Sequence, residues 1–276
     1  MRVILQGNID TDFNSINKLM FVDNALSDAV VLEECVIDMQ NVTWFNAALC
    51  SFFKAFLRRR MLENNISIRF LFNDASYSNV AVRDILFRNG FFNGEVSDVF
   101  NTIFPVRTFR TSDSEMESFL RNMKIDFQDK EKFPFSEVAS RGILKSLGEI
   151  FSNAERHAES DWIYTSGQYF PNKEPGQVTF CITDVGIGIV DQVKTRSGHV
   201  FASNEAIEWA FVEGNTTKEN SGGLGLFSLK NIIRDNKGEL IVVSNDAYYD
   251  VLRKKMFKLS FDFKGTLFII TMNQNG

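Results

Sequence analysis

The stretch EIFSNAERHA, residues 149–158, combines an apolar helical pattern with a carboxylate and an amide on one side of the helix. Apolar residues such as Phe151 and Ala154 have the spacing of a face that packs against a core. Glu149 and Asn153 are four residues apart, so their side chains project from one helix face. Because a buried polar pair is costly without partners, we expect this face to meet either a ligand or solvent.

A second polar motif follows the predicted strand QVTFCITD, in the stretch DVGIGIVD at residues 184–191. A carboxylate at a strand end, here Asp184, can accept the exocyclic amine of adenine. Gly186 and Gly188 allow the backbone to approach a ligand closely. Asp191 stands where a dinucleotide-binding fingerprint needs its third glycine, which disfavours that fingerprint. The alternative is a simple turn of the type D-x-G-x-G.

Two glycine-containing stretches complete the series. NTTKENSGGLGLFSLKNII, residues 215–233, places glycines before a predicted helix, and the free amides of a helix N-terminus can bind an anion. A flexible loop is the alternative. KGTLFIITM, residues 264–272, places Gly265 and Thr266 at the start of an apolar strand, where the hydroxyl can support Asp184 or a base edge. The chain contains no Walker A sequence, which disfavours a P-loop enzyme.

The first part of the chain alternates strand and helix patterns, which predicts a small α/β sheet packed by helices. Strands are expected at residues 2–7, 34–40 and 66–73, and helices at residues 47–65 and 79–92.

The pattern changes near residue 103, so we predict one domain at residues 1–103 and a second at residues 104–276. In the second domain a short strand precedes a helix capped by Ser112 or Ser114. The other predicted elements are helices at 136–158, 204–214 and 225–238, strands at 177–184, 239–245 and 265–272, and a hairpin turn at 171–176.

Composition excludes several classes of protein. The net charge of −5 gives no basic face for nucleic acid. No apolar run reaches the ~18 residues of a membrane span, and the first residues lack the apolar core of a signal peptide. The three cysteines, Cys35, Cys50 and Cys181, have no disulfide-framework or metal-ligand spacing. We expect them to be reduced and buried, and the protein to be cytoplasmic.

Taken in order, the motifs E-x-x-x-N, D-x-G-x-G, G-G-L-G-L and G-T resemble the N, G1, G2 and GT boxes of the GHKL ATPase superfamily. That superfamily includes gyrase-type ATPases, mismatch-repair ATPases, histidine kinases and anti-sigma-factor serine kinases. The resemblance covers residues 104–276. It implies a two-layer α/β sandwich, the Bergerat fold, that holds ATP and Mg²⁺ between helices and sheet beneath a mobile lid.

The resemblance also implies residue roles. Glu149 would be the general base, Asn153 the Mg²⁺ ligand and Asp184 the adenine contact. The other implied nucleotide-pocket residues are Gly186, Gly188, Gly223, Leu224, Gly225 and Thr266. The lid would span residues 191–221 and offer Thr216, Thr217 and Lys218 to the γ-phosphate. Sensor histidine kinases usually carry Asn at the position of Glu149, and neither His157 nor His199 lies on a dimerisation helix, so an autophosphorylating histidine kinase is disfavoured. A structural role is the expectation for His157.

The segment CVIDMQNVTWFNAALCSFFKAFLRRRMLENNISIRFLFN resembles part of the STAS domains of anti-sigma-factor antagonists, a likeness that extends over about residues 1–95. Those domains usually carry a phosphorylatable Ser in the loop where this chain has Asn46 and Ala47. A generic α/β docking domain is the alternative. Trp44 and Phe45 are interpreted as either an apolar contact surface or a buried loop anchor.

Three functions follow as hypotheses. The first is an ATP-hydrolysing conformational switch that acts on a protein partner or in a homodimer. The second is a serine/threonine protein kinase of the anti-sigma type. The third is a non-catalytic nucleotide-sensing adaptor. The first two would both use Glu149 as the base, so the sequence does not separate them.

Overall fold

A parallel sheet and an antiparallel sheet form the framework of this mixed α/β protein, in agreement with the predicted class. The structure is a computed structural model, and it describes residues 1–92, 98–156, 160–198, 200–215 and 225–274. None of the described helices combines the length and apolar character that a membrane span requires.

The three-stranded parallel sheet has the order β1-β2-β3. Its elements are β1 (Arg2–Ile9), α1 (Phe13–Ser27), β2 (Glu34–Phe45), a 3₁₀ turn (Ala47–Leu49), α2 (Cys50–Glu63), β3 (Ser67–Leu71) and α3 (Tyr77–Arg88). Parallel neighbours need a crossover connection, usually a helix, and α1 and α2 are those crossovers.

The structure has helix α1 in a segment for which the sequence analysis predicts no element, so the prediction was wrong there. Adjacent parallel strands β1 and β2 require an element between them. The local signals are present: the Asp12 carboxylate caps the helix by accepting a hydrogen bond from the Ser15 N–H at 3.0 Å. Ile16 and Leu19 are fully buried at helical spacing.

The five-stranded antiparallel sheet has the order β4-β5-β6-β8-β7. Its strands are β4 (Ile103–Arg110), β5 (Trp162–Phe170), β6 (Gln177–Asp184), β7 (Glu239–Asp250) and β8 (Lys255–Asn273). Strand β5 was not predicted, and β7 and β8 extend well beyond their predicted limits. Strands β7 and β8 are longer because they continue as a hairpin, in which Ala247 pairs with Lys258 beyond the predicted strands.

In the described parts of the chain, one face of the antiparallel sheet carries five helices around its own hydrophobic core. These helices are α4 (Asp113–Gln128), α5 (Glu137–Arg156), α6 (Ile189–Ser197), α7 (Ser203–Ala210) and α8 (Gly225–Asp235). Helix α5 packs between α4 and α8, and its Ile143, Leu147 and Phe151 are buried in the core. Ser112 is the N-cap of α4, as one of the two predictions has it.

The opposite face of the antiparallel sheet is also buried, because α1 and α2 pack against it. Helix α1 contacts β8, and α2 contacts β5 and β6. Cys181, Leu267 and Ile269 therefore belong to the same hydrophobic cluster as Phe52 and Phe56 of α2. The two sheets share this core.

Asn46 lies in the loop that resembles the STAS phosphorylation loop, and it is the N-cap of the 3₁₀ turn. Asn46 is buried, accepts the Ala48 N–H at 3.0 Å and donates to the Asp10 carboxylate at 2.7 Å. Phe45 is fully buried, which makes it an anchor rather than part of a contact surface, whereas Trp44 is 40% exposed. The predicted burial of the three cysteines is confirmed.

Candidate functional site

The floor of a cleft forms where three strands of the antiparallel sheet meet at matching positions. Asp184 at the end of β6 lies opposite Thr266 of β8, and Thr266 lies opposite Ser244 of β7. Asp184 and Thr266 both line the cleft and are almost fully buried. Two sequence motifs far apart in the chain thus meet through strand pairing.

Helix α5 supplies one wall of the cleft. Glu149 and Asn153 are half-buried, and both line the cleft, which confirms that they share a helix face. Glu149 Oε2 accepts a hydrogen bond from the Gly225 N–H, the first residue of α8, at 2.7 Å. The Glu149 carboxylate therefore satisfies one unpaired donor of that helix and complements its dipole.

The hydrogen bond between Glu149 and residue 225 requires a glycine at position 225. A Cβ atom on it would lie 2.2 Å from Glu149 Oε2 and 2.7 Å from Glu149 Cβ, so any side chain would displace the glutamate. A phosphate oxygen at the Gly225 amide would compete with Glu149 for the same donor.

The carboxyl group of Asp184 has a raised pKa. Burial raises the pKa of its carboxyl group to about 7, although the backbone N–H groups of Gly186 and Thr266 and the positive charge of Arg59 act in the opposite direction. Asp184 Oδ1 accepts the Gly186 N–H at 3.0 Å. The carboxyl group is therefore poised to gain or lose a proton near neutral pH, a property typical of functional sites.

The hydroxyl of Thr266 is a polar atom without a partner. Its Oγ1 is buried and makes no hydrogen bond in the described parts of the chain. Buried polar atoms are usually satisfied, so an orphaned hydroxyl beside a cleft indicates a missing partner. Gly265, just before it, has φ +135°, and a Cβ there would lie 2.3 Å from the Asp184 carbonyl oxygen.

Two residues of the site were not found from the sequence. Ser244 Oγ accepts the Ile189 N–H at 2.9 Å and donates to the Gly265 carbonyl at 2.9 Å, which ties the start of α6 to β8. Asn245 Oδ1 accepts the Val190 N–H at 3.4 Å. A signal exists in hindsight: the polar pair SN ends the apolar strand ELIVV.

The close approach of this polar pair explains Gly188. A Cβ on Gly188 would lie 2.1 Å from Asn245 Oδ1 and 2.8 Å from Ser244 Oγ. Without a side chain, Gly188 lets the first residues of α6 hydrogen-bond to Ser244 and Asn245 of β7. Gly188 is not one of the residues that line the cleft.

Helices α6 and α7 form the wall opposite α5. The residues that line the cleft from this side are Ile189, Gln192, Val193, Trp209, Ala210 and Asn215. Ala206 and Ile207 of α7 are fully buried in the core. The predicted lid at residues 191–221 includes α6 and α7, whose buried residues are packed into the core. Its residues 216–221 lie outside the described residues, and movement of the lid stays a prediction.

The predicted site residues divide into three groups. Glu149, Asn153, Asp184 and Thr266 line one cleft. Gly186 and Gly225 contact that group through backbone hydrogen bonds, whereas Gly188 packs against Ser244 and Asn245 of β7. The remaining predicted site residues lie outside the described residues: Thr216, Thr217, Lys218, Gly223 and Leu224. The two histidines, His157 and His199, lie outside them as well.

The described part of the chain holds no cluster of three or more His, Cys, Asp or Glu side chains that could bind a metal ion. Within the same residues the Asn153 side chain makes no hydrogen bond, so its amide oxygen is available. One amide oxygen suits Mg²⁺, which prefers oxygen ligands and is often shared with substrate phosphates. The residues therefore fit a metal that arrives with a phosphate ligand.

The chain matches no protein-family model, and a search of the curated proteins found no relative.

Proposed function

We propose that the cleft binds an adenine nucleotide with Mg²⁺, and that residues 104–276 are a GHKL-type ATP-binding domain preceded by a STAS-like domain. The observation that carries the proposal is the convergence of Glu149, Asn153, Asp184 and Thr266 on one cleft. The four residues belong to separate sequence motifs. Strand pairing and helix packing bring them together in the cleft.

The floor of the cleft suits the edge of adenine. The ionised Asp184 carboxylate accepts the exocyclic amine, and the Thr266 hydroxyl, orphaned without a ligand, donates to the neighbouring ring nitrogen. Guanine presents a carbonyl oxygen where adenine has the amine, and that oxygen would face the Asp184 carboxylate. Adenine is therefore preferred.

The α5 wall suits the phosphate end. Asn153 offers its amide oxygen to Mg²⁺, and Glu149 lies one helical turn away on the same face. When bound, Mg²⁺ offsets the negative charge of the phosphates. Glu149 accepts the proton of the attacking nucleophile, and its hydrogen bond to Gly225 orients the carboxylate.

The identity of the nucleophile decides whether the protein is an ATP-hydrolysing switch or a serine/threonine kinase. Attack by water makes the protein a hydrolytic switch, which we propose first, with nucleotide occupancy altering a contact to a protein partner or a second copy of the chain. Attack by a protein hydroxyl makes it a serine/threonine kinase. One observation favours a non-catalytic nucleotide sensor instead: the Glu149 carboxylate already binds the α8 N-terminus.

Incubation with γ-labelled ATP, with and without cell extract, separates these functions. Label released as phosphate by the protein alone supports hydrolysis. Label transferred to a protein in the extract supports a kinase. Saturable ATP binding without either product supports the sensor, and no binding refutes the nucleotide site. Glu149→Gln distinguishes turnover at this cleft from a contaminating activity.

A further inference from the structure

A buried side chain of the N-terminal α/β unit reaches β8 next to the floor of the cleft. Arg59 of α2 is 7% exposed, and its Nη1 donates to the carbonyl oxygen of Lys264 on β8. Lys264 directly precedes Gly265 and Thr266, the two residues of the G-T motif. A residue of the first sheet's layer thus holds the strand that forms the cleft floor.

The contact lies at a bulge in β8. Ser244 pairs with Thr266 but the next residue, Asn245, pairs with Phe263, so Lys264 and Gly265 are extra residues in the ladder. Two hydrogen bonds from opposite sides hold them: Arg59 binds the Lys264 carbonyl, and Ser244 Oγ binds the Gly265 carbonyl at 2.9 Å.

The bulge passes close to Asp184. The position of a Cβ on Gly265 would be 2.3 Å from the Asp184 carbonyl oxygen and 2.9 Å from Val185 Cα. A shift of this segment would therefore move Thr266 relative to Asp184, because there is no free space between the two backbones.

Arg59 is itself held firmly. Its Nη2 donates to the buried Asp23 carboxylate of α1 at 2.8 Å, and Arg60 donates to the same carboxylate through Nε at 2.8 Å. Asp23 thus links α1 and α2 at the position where α2 reaches the bulge. Breaking such a buried pair is costly, so Arg59 has a fixed place between the two sheets.

We propose that Arg59 is a positioning residue through which the N-terminal α/β unit controls the cleft, by fixing the β8 bulge that sets Thr266 beside Asp184. The inference rests on the proposed nucleotide function of the cleft. It gives the first unit a direct route to the nucleotide site: a partner that displaces α1 or α2 would change the cleft floor.

Electrostatics supports the same assignment. The positive charge of Arg59 lowers the pKa of Asp184, against the larger effect of burial. The other titratable side chain among the described residues of the cleft lining is Glu149 on α5. Loss of the Arg59 charge should therefore raise the midpoint at which Asp184 ionises.

The test compares Arg59→Met with Arg60→Met in the full chain. Both variants remove one arginine from Asp23 and leave the other as its partner, but only Arg59 reaches Lys264. Carbon-detected NMR, with Asp184→Asn to assign the signal, gives the ionisation midpoint of Asp184 without nucleotide. Calorimetry with Mg²⁺ and ATP gives the affinity as a function of pH.

For Arg59→Met we expect the Asp184 midpoint to rise by about 0.5 to 1 pH unit, less than for a direct ion pair. From a midpoint of about 7, this lowers the ionised fraction, and hence ATP affinity at pH 7, about two- to fivefold. Arg59→Lys keeps the charge but cannot bridge Asp23 and the Lys264 carbonyl in the same way, so its midpoint should stay near that of the wild type while its ATP affinity falls. If Arg59→Met does not fold, wild-type ATP affinity in Arg59→Lys overturns the inference. Arg60→Met should not move the midpoint.

An Arg59→Met protein with the midpoint and affinity of the wild type overturns the inference, as does an equal shift in Arg60→Met. If the Asp184 midpoint shifts in Arg59→Met but the wild type binds no ATP, the link between Arg59 and the cleft is supported and the nucleotide function is refuted. The two failures are therefore distinguishable.

Discussion

Glu149 has two tasks in this account, and substitutions can separate them. It caps α8 through the 2.7 Å bond to the Gly225 N–H, and it is the proposed base. Glu149→Gln keeps an acceptor for that N–H but loses the charge and the basicity. Glu149→Ala loses the acceptor as well. The two variants should therefore differ in stability but share the loss of turnover.

The magnitudes follow from the bond type. A hydrogen bond to a charged group contributes about 1.5–3 kcal/mol, and a neutral one about 0.5–1.5 kcal/mol. We expect Glu149→Gln to lower the free energy of unfolding by about 1 kcal/mol and Glu149→Ala by about 2 kcal/mol. The melting temperature should fall by about 2–4 °C in Glu149→Gln and by about 4–8 °C in Glu149→Ala. Loss of a positioned base should lower turnover roughly 10²–10⁴-fold in both variants.

Thermal unfolding and release of labelled phosphate from ATP measure these effects separately. Glu137→Gln, an exposed glutamate in the first turn of the same helix, is the matched control and should keep full turnover. Undiminished turnover in Glu149→Gln would refute the role of base. Equal stability of Glu149→Ala and the wild type would refute the contribution of the Gly225 contact.

Four other outcomes are expected. Asn153→Ala should weaken ATP binding in the presence of Mg²⁺ but not with a chelator, as calorimetry can test; an equal loss in both conditions contradicts the metal role. Thr266→Val removes an unsatisfied buried hydroxyl, so the protein without nucleotide should be as stable as the wild type or more stable, while ATP affinity falls; unchanged affinity contradicts a contact to the base. Because the pKa of Asp184 is raised to about 7 from 3.8, the folded state holds a proton that the unfolded state releases between these values. Denaturant unfolding should show stability falling with rising pH in this window, by at most about 1.4 kcal/mol per unit, and a flatter curve for Asp184→Asn; identical curves contradict the shift. A fragment of residues 104–276 would expose the sheet face now covered by α1 and α2, so it should bind a hydrophobic dye and unfold without cooperativity; a cooperative, dye-free fragment contradicts the shared core.

The sequence predicts elements best where one periodicity governs a long segment. Helix α5 and strand β6 were placed within one or two residues of their observed limits, because their apolar patterns are strong. Helix α1 was missed because its necessity comes from the parallel pairing of β1 with β2, which no local pattern shows.

The candidate site shows the same division. Glu149, Asn153, Asp184 and Thr266 lie in motifs with recognisable spacing, and these four residues line the cleft. Ser244 was missed because it caps a helix that begins 55 residues earlier in the chain. The contact of Arg59 with Lys264 spans 205 residues, so only the packing of the two sheets reveals it.

The central claim is that the cleft recognises an adenine nucleotide through Asp184. Calorimetric titration with ATP and GTP in the presence of Mg²⁺ tests it most directly, at pH 8, where a carboxyl group with a pKa of about 7 is mostly ionised. We expect saturable binding of ATP and at least about tenfold weaker binding of GTP, equivalent to about 1.4 kcal/mol. This preference should be lost in Asp184→Asn. Absence of ATP binding by the wild type, or equal affinities for ATP and GTP, would contradict it.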